Sequence, residues 1–545
     1  MNRPSTILQG SPKGASTTHA TPLLPLTTQS LCPDCLTVIN ATIHQVDDEV
    51  YMDKCCPKHG PYRELISTDA KFFTLMLQRD RAHLRSVTNP LKGKQAPCPN
   101  GCGICSEHRS PPIMVSIDLT NRCNLNCPIC FANANVRGEI VELTIDQVCQ
   151  MLDSACNTDM VQPACLQYGG GEPTIHPQFL EALREANKRK FAQIQIATNG
   201  IKFAQDSALA AQASEAGLNI AYMQFDGMDD EVYRKTRGCN LVDIKLRAID
   251  NLYQAGIRTV LVPTIVKGLN DNQIGKITNF AINNIDKITG ISWQPVAFTG
   301  RINHHSRLAQ RFTLADLARE IERQTGFAQM YRDWYPFCAA DPFTRLIEAV
   351  EHTPQTALSC SPICGVATYL IVDPHQHKVF PLPAFVDVEP VMKSLAETAE
   401  QIKNKRFLRK LAVAQKLKDL RQFFHADRAP SGWTFETFLD FVTDFVDFRK
   451  RFNNNQARKK ISAENPYKVL LMVSMHFQDV YNYQLDRVRR CVVHCVAPNG
   501  RLYPFCSYNC GPYHRSRVEK QFAIRLSEYH ANTAKNNTLV PDRIG

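Results

Sequence analysis

The stretch PPIMVSIDLTNRCNLNCPICF, residues 111–131, joins a β-branched apolar run to three cysteines in the spacing C-x3-C-x2-C. The apolar run predicts a buried strand, so Cys123, Cys127 and Cys130 fall on the loop at its carboxyl end. Three thiolates leave one corner of a four-iron cluster without a cysteine, because ordinary clusters take four. An open coordination position is the mark of a catalytic metal site.

A regular alternation of strand and helix patterns follows this loop. Apolar strand candidates lie near residues 113–119, 163–168, 192–197, 219–225, 258–265 and 289–296. Six such units predict an α/β fold with a partial (β/α)6 barrel of the TIM type. In these barrels the functional loops lie at the carboxyl ends of the strands.

Three more motifs stand at predicted strand ends: Gly169-Gly170-Gly171-Glu172-Pro173, Thr198-Asn199-Gly200 and Phe225-Asp226-Gly227. Glycines let a ligand approach the backbone closely, and a carboxylate offsets a positive charge. A plain turn between strand and helix is the alternative interpretation of the first motif.

Together these residues resemble the radical SAM superfamily, because CxxxCxxC is followed about forty residues later by GGGEP after a strand. The resemblance implies a 4Fe-4S cluster on Cys123, Cys127 and Cys130 that binds S-adenosylmethionine at its open iron. It also implies an external one-electron reductant such as ferredoxin or flavodoxin. Cleavage of the sulfonium then yields a 5′-deoxyadenosyl radical that removes hydrogen from an unactivated carbon.

The same resemblance implies roles for the strand-end motifs. Gly169, Gly170 and Gly171 would approach the methionyl ammonium of the cofactor, and Glu172 would offset its charge. Asn199 and Asp226 would face the sugar and methionine of the cofactor. Either of these two side chains could instead cap the helix that follows it.

An N-terminal pair of cysteine knuckles, CPDC and CCPKHG, predicts a metal-binding module. Cys32, Cys35, Cys56 and His59 would hold one tetrahedral zinc ion. Replacing His59 by Cys55 would give four thiolates and a rubredoxin-like iron site. The sequence leaves zinc and iron open, and free thiols are the remaining alternative.

Further cysteines predict one or two auxiliary iron–sulfur clusters. Cys98, Cys102 and Cys105 repeat the C-x3-C-x2-C spacing without a preceding strand. The other predicted ligands come from three C-x3-C pairs in the C-terminal half: Cys360, Cys364, Cys491 and Cys506. The last three of these stand beside turn or strand signals. The pattern leaves Cys495 and Cys510 undecided.

From about residue 30 to 510 the cysteine pattern resembles one radical SAM subgroup, which includes archaeal tetraether lipid synthase and an archaeal pterin-methylating relative. The resemblance implies hydrogen abstraction from an unactivated carbon, with carbon–carbon coupling of lipid alkyl chains as the leading function. The alternatives are radical methylation of a pterin-like heterocycle and a redox protein that does not cleave S-adenosylmethionine. We expect a long apolar tunnel for a lipid and a short polar pocket for a pterin.

Composition bounds the remaining expectations. The 545 residues are 44% hydrophobic with net charge +11, which excludes a disordered or fibrous chain, and no apolar run is long enough for a transmembrane helix. We expect a cytoplasmic enzyme without a nucleic-acid partner. The predicted regions are a disordered leader 1–30, a cysteine-rich module 31–110, the barrel 111–310, a helical and auxiliary-cluster domain 311–515 and a tail 516–545.

A basic amphipathic segment over residues 401–421 and an aromatic one over 435–448 bear on the substrate. A basic amphipathic helix can lie on the inner face of a membrane. Two ordinary amphipathic helices that close the substrate cavity would show the same pattern. Both interpretations stay open at this point.

Overall fold

The computed structural model describes residues 24–85, 97–135, 138–156, 161–403, 413, 416–446, 467–511 and 514–529. The first strand begins at Leu26, inside the range 1–30 that was expected as a disordered leader, and residues 1–23 of that range lie outside the described residues. The N-terminal elements are β1 Leu26–Leu31, β2 Val38–Val46, β3 Glu49–Cys56, β4 Gly60–Ser67 and α1 Ala70–Gln78.

These four strands form an antiparallel sheet in the order β1-β2-β3-β4. Alternate residues of β2 and β3 are buried, and Ile43 and Met52 pack with Phe73 of α1. This alternation is the pattern of a sheet with one covered face. Asp69 caps α1 by accepting a hydrogen bond from the backbone N–H of Phe72 at 2.7 Å.

The barrel follows the expected alternation of strands and helices. Its elements are β5 Met114–Thr120, β6 Glu139–Ile140, α2 Ile145–Cys156, β7 Cys165–Gly170, α3 Phe179–Lys188, β8 Gln193–Thr198, α4 Ile201–Gln205, α5 Ser207–Glu215, β9 Ile220–Gln224, α6 Asp230–Arg237, α7 Val242–Gln254, β10 Arg258–Val262, β11 Thr264–Ile265, α8 Ile274–Asn283 and β12 Ile288–Pro295. Strands β5, β7, β8, β9, β10 and β12 are parallel neighbours in that order. The predicted partial (β/α)6 barrel is confirmed.

The remaining elements are α9 Arg307–Gln310, α10 Leu314–Thr325, β13 Tyr335–Pro336, α11 Asp341–Glu351, β14 Gly365–Val372, β15 Val379–Pro381, α12 Val388–Ile402, α13 Phe435–Val446, β16 Lys468–Met475, α14 Leu485–Arg489, β17 Val493–Val496, β18 Leu502–Pro504, α15 Phe505–Cys510, α16 His514–Phe522 and β19 Ile524–Arg525. Short 3-10 turns lie at Pro173–Ile175, Asp271–Gln273, Phe337–Ala340, Leu382–Ala384 and Leu420–Phe423.

Two C-terminal strands join the barrel sheet, which the sequence did not predict. Strand β16 pairs in parallel with β12, and β17 pairs in parallel with β5. Antiparallel strands β14 and β18 extend the two edges. The region expected as a separate C-terminal domain therefore supplies two walls of the barrel and places its cysteines beside the central cavity.

The aromatic segment packs on the protein. In α13, Phe435 and Phe438 belong to a second apolar core with Trp433 and Leu395. Most of the basic segment, residues 404–412 and 414–415, lies outside the described residues, as do residues 447–448. None of the helices in the described part of the chain is both long and apolar enough to cross a membrane.

The expected tail begins later than residue 516. Helix α16 runs from His514 to Phe522 and buries Val518 against Tyr503 and Tyr508. Residues 530–545 lie outside the described part.

Candidate functional site

The three cysteines of the first motif lie together on the loop after β5. Cys123, Cys127 and Cys130 all line a cavity of about 1110 Å³ that occupies the barrel interior. The Asn135 amide holds the loop, because its Oδ1 accepts from the Cys123 N–H at 3.0 Å and its Nδ2 donates to the Cys123 carbonyl at 2.9 Å. Arg301 donates to the Cys127 carbonyl at 2.9 Å. Three thiols are therefore presented to the cavity from a fixed backbone.

The glycines of GGGEP bring the end of β7 against the start of this loop. Gly170 has φ +118°, and a Cβ there would overlap the Thr120 carbonyl. A Cβ on Gly171 would overlap the Arg122 carbonyl, and the Gly171 N–H donates to Thr120 at 2.7 Å. Gly169, Gly170 and Gly171 line the cavity. Glycine is required here for close backbone approach.

Glu172 is buried and links the ends of two strands. It accepts from the Thr174 N–H at 3.2 Å, the Thr198 hydroxyl at 2.8 Å and the Asn199 N–H at 2.7 Å. Burial raises the pKa of this carboxyl. Its contact with a methionyl ammonium stays a prediction, since these three groups already use its oxygens.

Asn199 lines the cavity and also caps a helix. Its Oδ1 accepts from the Ile201 N–H at 3.0 Å, at the first residue of α4. Its Nδ2 donates to Asn124 of the cysteine loop at 2.7 Å. The side-chain oxygen of Asn199 therefore caps the helix, as one of the two interpretations expected. Its side-chain nitrogen supports the cysteine loop.

Asp226 is fully buried and is absent from the described residues that line the cavity. Its oxygens accept from Arg237 Nε at 2.5 Å, Gln224 Nε2 at 2.6 Å and the Thr264 N–H at 3.1 Å. Arg237 reaches the cavity instead and donates to the Ile129 carbonyl at 2.9 Å. The structure thus places Asp226 behind Arg237, and a contact between Asp226 and a cofactor stays a prediction.

Arg237 is a cavity residue that was not predicted from the sequence. A signal was available, because Arg237 stands four residues after the buried Tyr233 on α6, on the inward side of the helix. Its neighbours Arg234 and Lys235 are exposed.

The N-terminal module gathers a four-ligand metal site. The ligand atoms of Cys32, Cys35, Cys56 and His59 all lie within 4.8 Å of one another. His59 Nδ1 is 3.4 Å from Cys32 Sγ and 3.5 Å from Cys56 Sγ. Hydrogen bonds from Thr37 lower the pKa of the Cys35 thiol to about 6, which favours the thiolate that binds metal.

Cys55 is exposed and does not belong to this group. The rubredoxin-like alternative is therefore wrong, because it needs Cys55 as its fourth thiolate ligand. A Cys3His set is typical of structural zinc.

The C-terminal cysteines converge beside the barrel. Cys360, Cys364 and Cys491 share one packed cluster, and burial raises the pKa of Cys491, with Cys506 and Cys364 adding to the effect. Arg487 lies among them and donates to Cys364 Sγ at 3.4 Å. The structure therefore brings together the four predicted ligands from this half of the chain.

The second C-x3-C-x2-C loop lies near the two undecided cysteines. A hydrogen bond between Cys98 and Cys105 lowers the pKa of Cys105 to about 6. Cys102 shares a packed cluster with Cys495, and Cys98 shares another with Cys510. The sequence leaves both cysteines unassigned, and these contacts place each of them beside one thiol of the loop.

The cavity has a polar wall and an apolar wall. The inward residues of β5, β7, β8 and β9 are mostly polar: Ser116, Asp118, Gln167, Gln193, Gln195, Tyr222 and Gln224. The facing residues of β10 and β16 are mostly apolar: Val260, Val262, Leu471, Val473 and Met475. Strand β12 between them contributes Ser292 and Gln294. The apolar side continues to helices α12 and α13 through Val391, Met392, Phe438 and Phe441.

The polar wall was visible as an alternation in the sequence. In β8, Ile194 and Ile196 face the helices, whereas the alternate residues Gln193 and Gln195 face the cavity. The apolar character predicted for this strand therefore holds for one face only.

Comparisons with known proteins agree with this geometry. Residues 117–281 match the model of the Radical SAM superfamily, and residues 24–68 match the HMPTM N-terminal zinc ribbon domain. The chain is 36% identical over 503 residues to the 7,8-dihydro-6-hydroxymethylpterin dimethyltransferase of Methanocaldococcus jannaschii, covering 92% of this chain and 96% of that protein.

More distant matches cover only part of the chain. The GTP 3′,8-cyclase of Clostridium acetobutylicum is 25% identical over 40% of this chain and 68% of its own. The structure of Streptococcus suis SuiB bound to S-adenosylmethionine aligns with TM-score 0.33 at 19% identity, over 40% of this chain and 47% of that one.

Proposed function

The chain belongs to the radical SAM superfamily, and from this premise we propose that it methylates a reduced, pterin-like heterocycle. The observation that carries the proposal is the 36% identity over 96% of the length of a protein named as a hydroxymethylpterin dimethyltransferase. This gives pterin methylation more support than the lipid coupling that the sequence analysis placed first.

The residues present fit an iron–sulfur cluster with S-adenosylmethionine. Cys123, Cys127 and Cys130 supply three thiols at the rim of a cavity of about 1110 Å³, which is at the upper end of ligand-pocket volumes. When bound, the cofactor supplies one-electron cleavage of the sulfonium bond and a radical that removes hydrogen from carbon. The protein contributes binding, orientation and exclusion of water.

The polar wall suits a flat heterocycle. The amides of Gln167, Gln195 and Gln224 and the carboxylate of Asp118 offer donors and acceptors inside the partial barrel. A few well-placed polar groups in a mostly apolar pocket orient a ligand of this kind. The apolar wall of β10 and β16 excludes water from the reacting carbon.

A second candidate function is carbon–carbon coupling of lipid alkyl chains. The observation that favours it is the apolar extension of the cavity toward Met392, Phe438 and Phe441. A pterin does not need this extension, whereas an alkyl chain would fill it. Contact with a membrane surface is part of this candidate alone.

Product analysis on anaerobically reconstituted enzyme distinguishes the two candidates. Dithionite replaces the proposed ferredoxin or flavodoxin donor, and 5′-deoxyadenosine is quantified with 7,8-dihydro-6-hydroxymethylpterin or with deuterated lipid extract. We expect the pterin to raise deoxyadenosine and to gain methyl groups, detected by mass spectrometry, with a second S-adenosylmethionine or another added carbon donor supplying the methyl carbon. Stimulation by lipid, with deuterium in the deoxyadenosine, would favour alkyl coupling, and stimulation by neither would overturn the methylation proposal. The matched control is the Cys123→Ala/Cys127→Ala/Cys130→Ala variant.

A further inference from the structure

Asp118 presents a carboxylate to the cavity from the last inward position of β5. Its Oδ2 accepts a hydrogen bond from Arg515 Nη2 at 2.6 Å, and its side chain is 28% exposed. Its Oδ1 has no hydrogen-bond partner among the described residues. A Cβ built on Gly169 would lie 3.2 Å from that oxygen, so it stands beside the GGGEP backbone and faces the barrel interior.

Arg515 comes from α16, almost 400 residues later in the chain, and its position is fixed on several sides. Its Nε donates to Asn509 Oδ1 at 3.0 Å, and its Nη1 donates to Glu519 Oε1 at 3.3 Å. The guanidinium also lies 5.1 Å from the ring centroid of Tyr508. The Asp118 carboxylate is thus held in one orientation by a pre-organised partner.

Gln167 supplies a donor near this carboxylate. Its Oε1 accepts from Gln195 Nε2 at 2.7 Å, and the side-chain oxygen Oε1 of Gln195 accepts from Gln193 Nε2. This chain of amides leaves the Gln167 Nε2 group as the unused donor among the described residues. Ser116 pairs with Gln167, and Asp118 pairs with Gly169, so Gln167 lies one inward layer below Asp118 on the neighbouring strand.

The register makes these two groups diagonal neighbours on the cavity face of the sheet. Neighbouring strands lie about 4.8 Å apart and two residues along a strand span about 6.6 Å, so the two backbone positions are about 8 Å apart. An acceptor oxygen and an amide donor are therefore offered to different edges of a small ring system. An alkyl chain could pair with neither group, and filling this part of the cavity with one would leave Asp118 Oδ1 and Gln167 Nε2 without a hydrogen-bond partner.

We propose that Asp118 binds the amidine-type N–H edge of the heterocyclic substrate, with Gln167 donating to an acceptor on another edge of the ring system. Arg515 is the positioning residue that orients Asp118. This inference rests on the proposed function and identifies the substrate class through an N–H donor edge and a separate ring acceptor. A hydrogen bond to a charged acceptor is stronger than a neutral one, so Asp118 carries most of the recognition.

Binding to the reconstituted holoenzyme without reductant tests the inference. Affinity for 7,8-dihydro-6-hydroxymethylpterin and, separately, for S-adenosylmethionine is measured by anaerobic equilibrium dialysis. We expect Asp118→Asn to weaken pterin binding about 10- to 100-fold, as for loss of a hydrogen bond to a charged group. Affinity for S-adenosylmethionine should stay within about twofold. The matched control is Asp153→Asn, another carboxylate paired with an arginine, at 2.8 Å, but on the outer surface.

Substitutions at Arg515 separate positioning from folding. Arg515→Gln should weaken pterin binding less than Asp118→Asn does, and Arg515→Lys should recover part of the loss, all at unchanged iron content. Pterin affinity of Asp118→Asn equal to that of the parent would overturn the inference. Equal loss of S-adenosylmethionine affinity would also overturn it, because Asp118 would then bind the cofactor. A parent protein that does not bind the pterin would overturn the proposed function itself, and this inference with it.

Discussion

Two buried basic side chains support the polar wall of the cavity: Arg237 lines the cavity, and Lys245 lies behind it. Lys245 Nζ donates to the Asn199 carbonyl at 2.6 Å and to Gln224 Oε1 at 2.8 Å. Gln224 in turn donates to Asp226, which holds Arg237. Burial lowers the pKa of Lys245 to about 7, from an ordinary value of about 10.4. The charge on this lysine therefore differs between the folded and unfolded chain over a wide pH range.

Replacing Lys245 by methionine should change how stability depends on pH. Between about pH 7 and pH 10 the unfolded parent binds a proton that the folded parent does not, so parent stability rises with pH there. The variant lacks this contribution, which raises the free energy of unfolding of the parent by at most about 1.4 kcal/mol per pH unit. We expect the melting temperature of Lys245→Met, relative to the parent, to fall between pH 7 and pH 9.

The control for this prediction is Lys235→Met, because Lys235 is an exposed residue of α6 paired with Glu231. Its melting temperature should differ from that of the parent by the same small amount at every pH. A constant difference for Lys245→Met across this range would contradict the lowered pKa.

Individual residues were predictable where their chemistry is local in sequence. Cys123, Cys127 and Cys130 were found from their spacing, since three ligands of one cluster lie within eight residues. Asp118 and Arg515 could not be found in this way, because their contact joins residues almost 400 positions apart in the sequence. Asp226 was found as a strand-end residue, but only tertiary structure shows that Arg237 lies between it and the cavity.

Among the secondary-structure elements, a buried ion network fixes the N-terminal sheet to the barrel. Arg311 donates to Glu64 of β4 at 2.7 Å and to Asp479, in the loop after β16, at 2.6 Å. All three side chains are almost fully buried. Glu64 also pairs with Arg307, so removal of Arg311 leaves the buried charge of Asp479 without its ion-pair partner.

Replacing Arg311 by glutamine should therefore destabilise the contact between these elements. Loss of one partner of a buried ion pair costs about 3–5 kcal/mol. We expect a lower melting temperature and faster proteolytic release of the N-terminal module, followed by gel electrophoresis and mass spectrometry. Arg323→Gln on α10 is the control, because its pair with Glu320 is exposed and contributes about 0–1 kcal/mol. Equal behaviour of the two variants would argue against the network as the anchor.

The order of the strands was predictable only within the regular repeat. The six strands of the barrel alternate with helices, and a parallel strand follows its predecessor through a short crossover. Strand β16 carries an apolar run that is typical of a strand, yet its pairing with β12 joins residues about 180 apart in sequence. Such long-range pairing has no local signal, so these additional walls of the barrel were missed.

At the scale of the whole molecule, the described residues combine one predicted mononuclear site with several thiol-rich sites, and the metal content of the protein tests this arrangement. Replacing His59 by alanine should remove zinc from the N-terminal module and leave iron unchanged, because that module has its own sheet. Replacing Cys364 and Cys491 together should lower iron by about four atoms per chain, as expected for loss of one cluster. Elemental analysis of the anaerobically purified variants measures both.

Two results would contradict this arrangement of metals. Loss of iron in His59→Ala would place His59 at an iron site, and unchanged iron in the double cysteine variant would exclude a cluster at Cys364 and Cys491. Spectroscopy of the cluster at Cys123, Cys127 and Cys130 should be unaffected in both variants.

The central claim is that the barrel holds an iron–sulfur cluster that cleaves S-adenosylmethionine at Cys123, Cys127 and Cys130. The most direct test is 5′-deoxyadenosine formation by anaerobically reconstituted protein with dithionite and S-adenosylmethionine, compared with the triple cysteine-to-alanine variant. The account predicts deoxyadenosine from the parent and none from the variant, even though the variant retains its other iron. No deoxyadenosine from a fully iron-loaded parent, or equal amounts from both proteins, would contradict it.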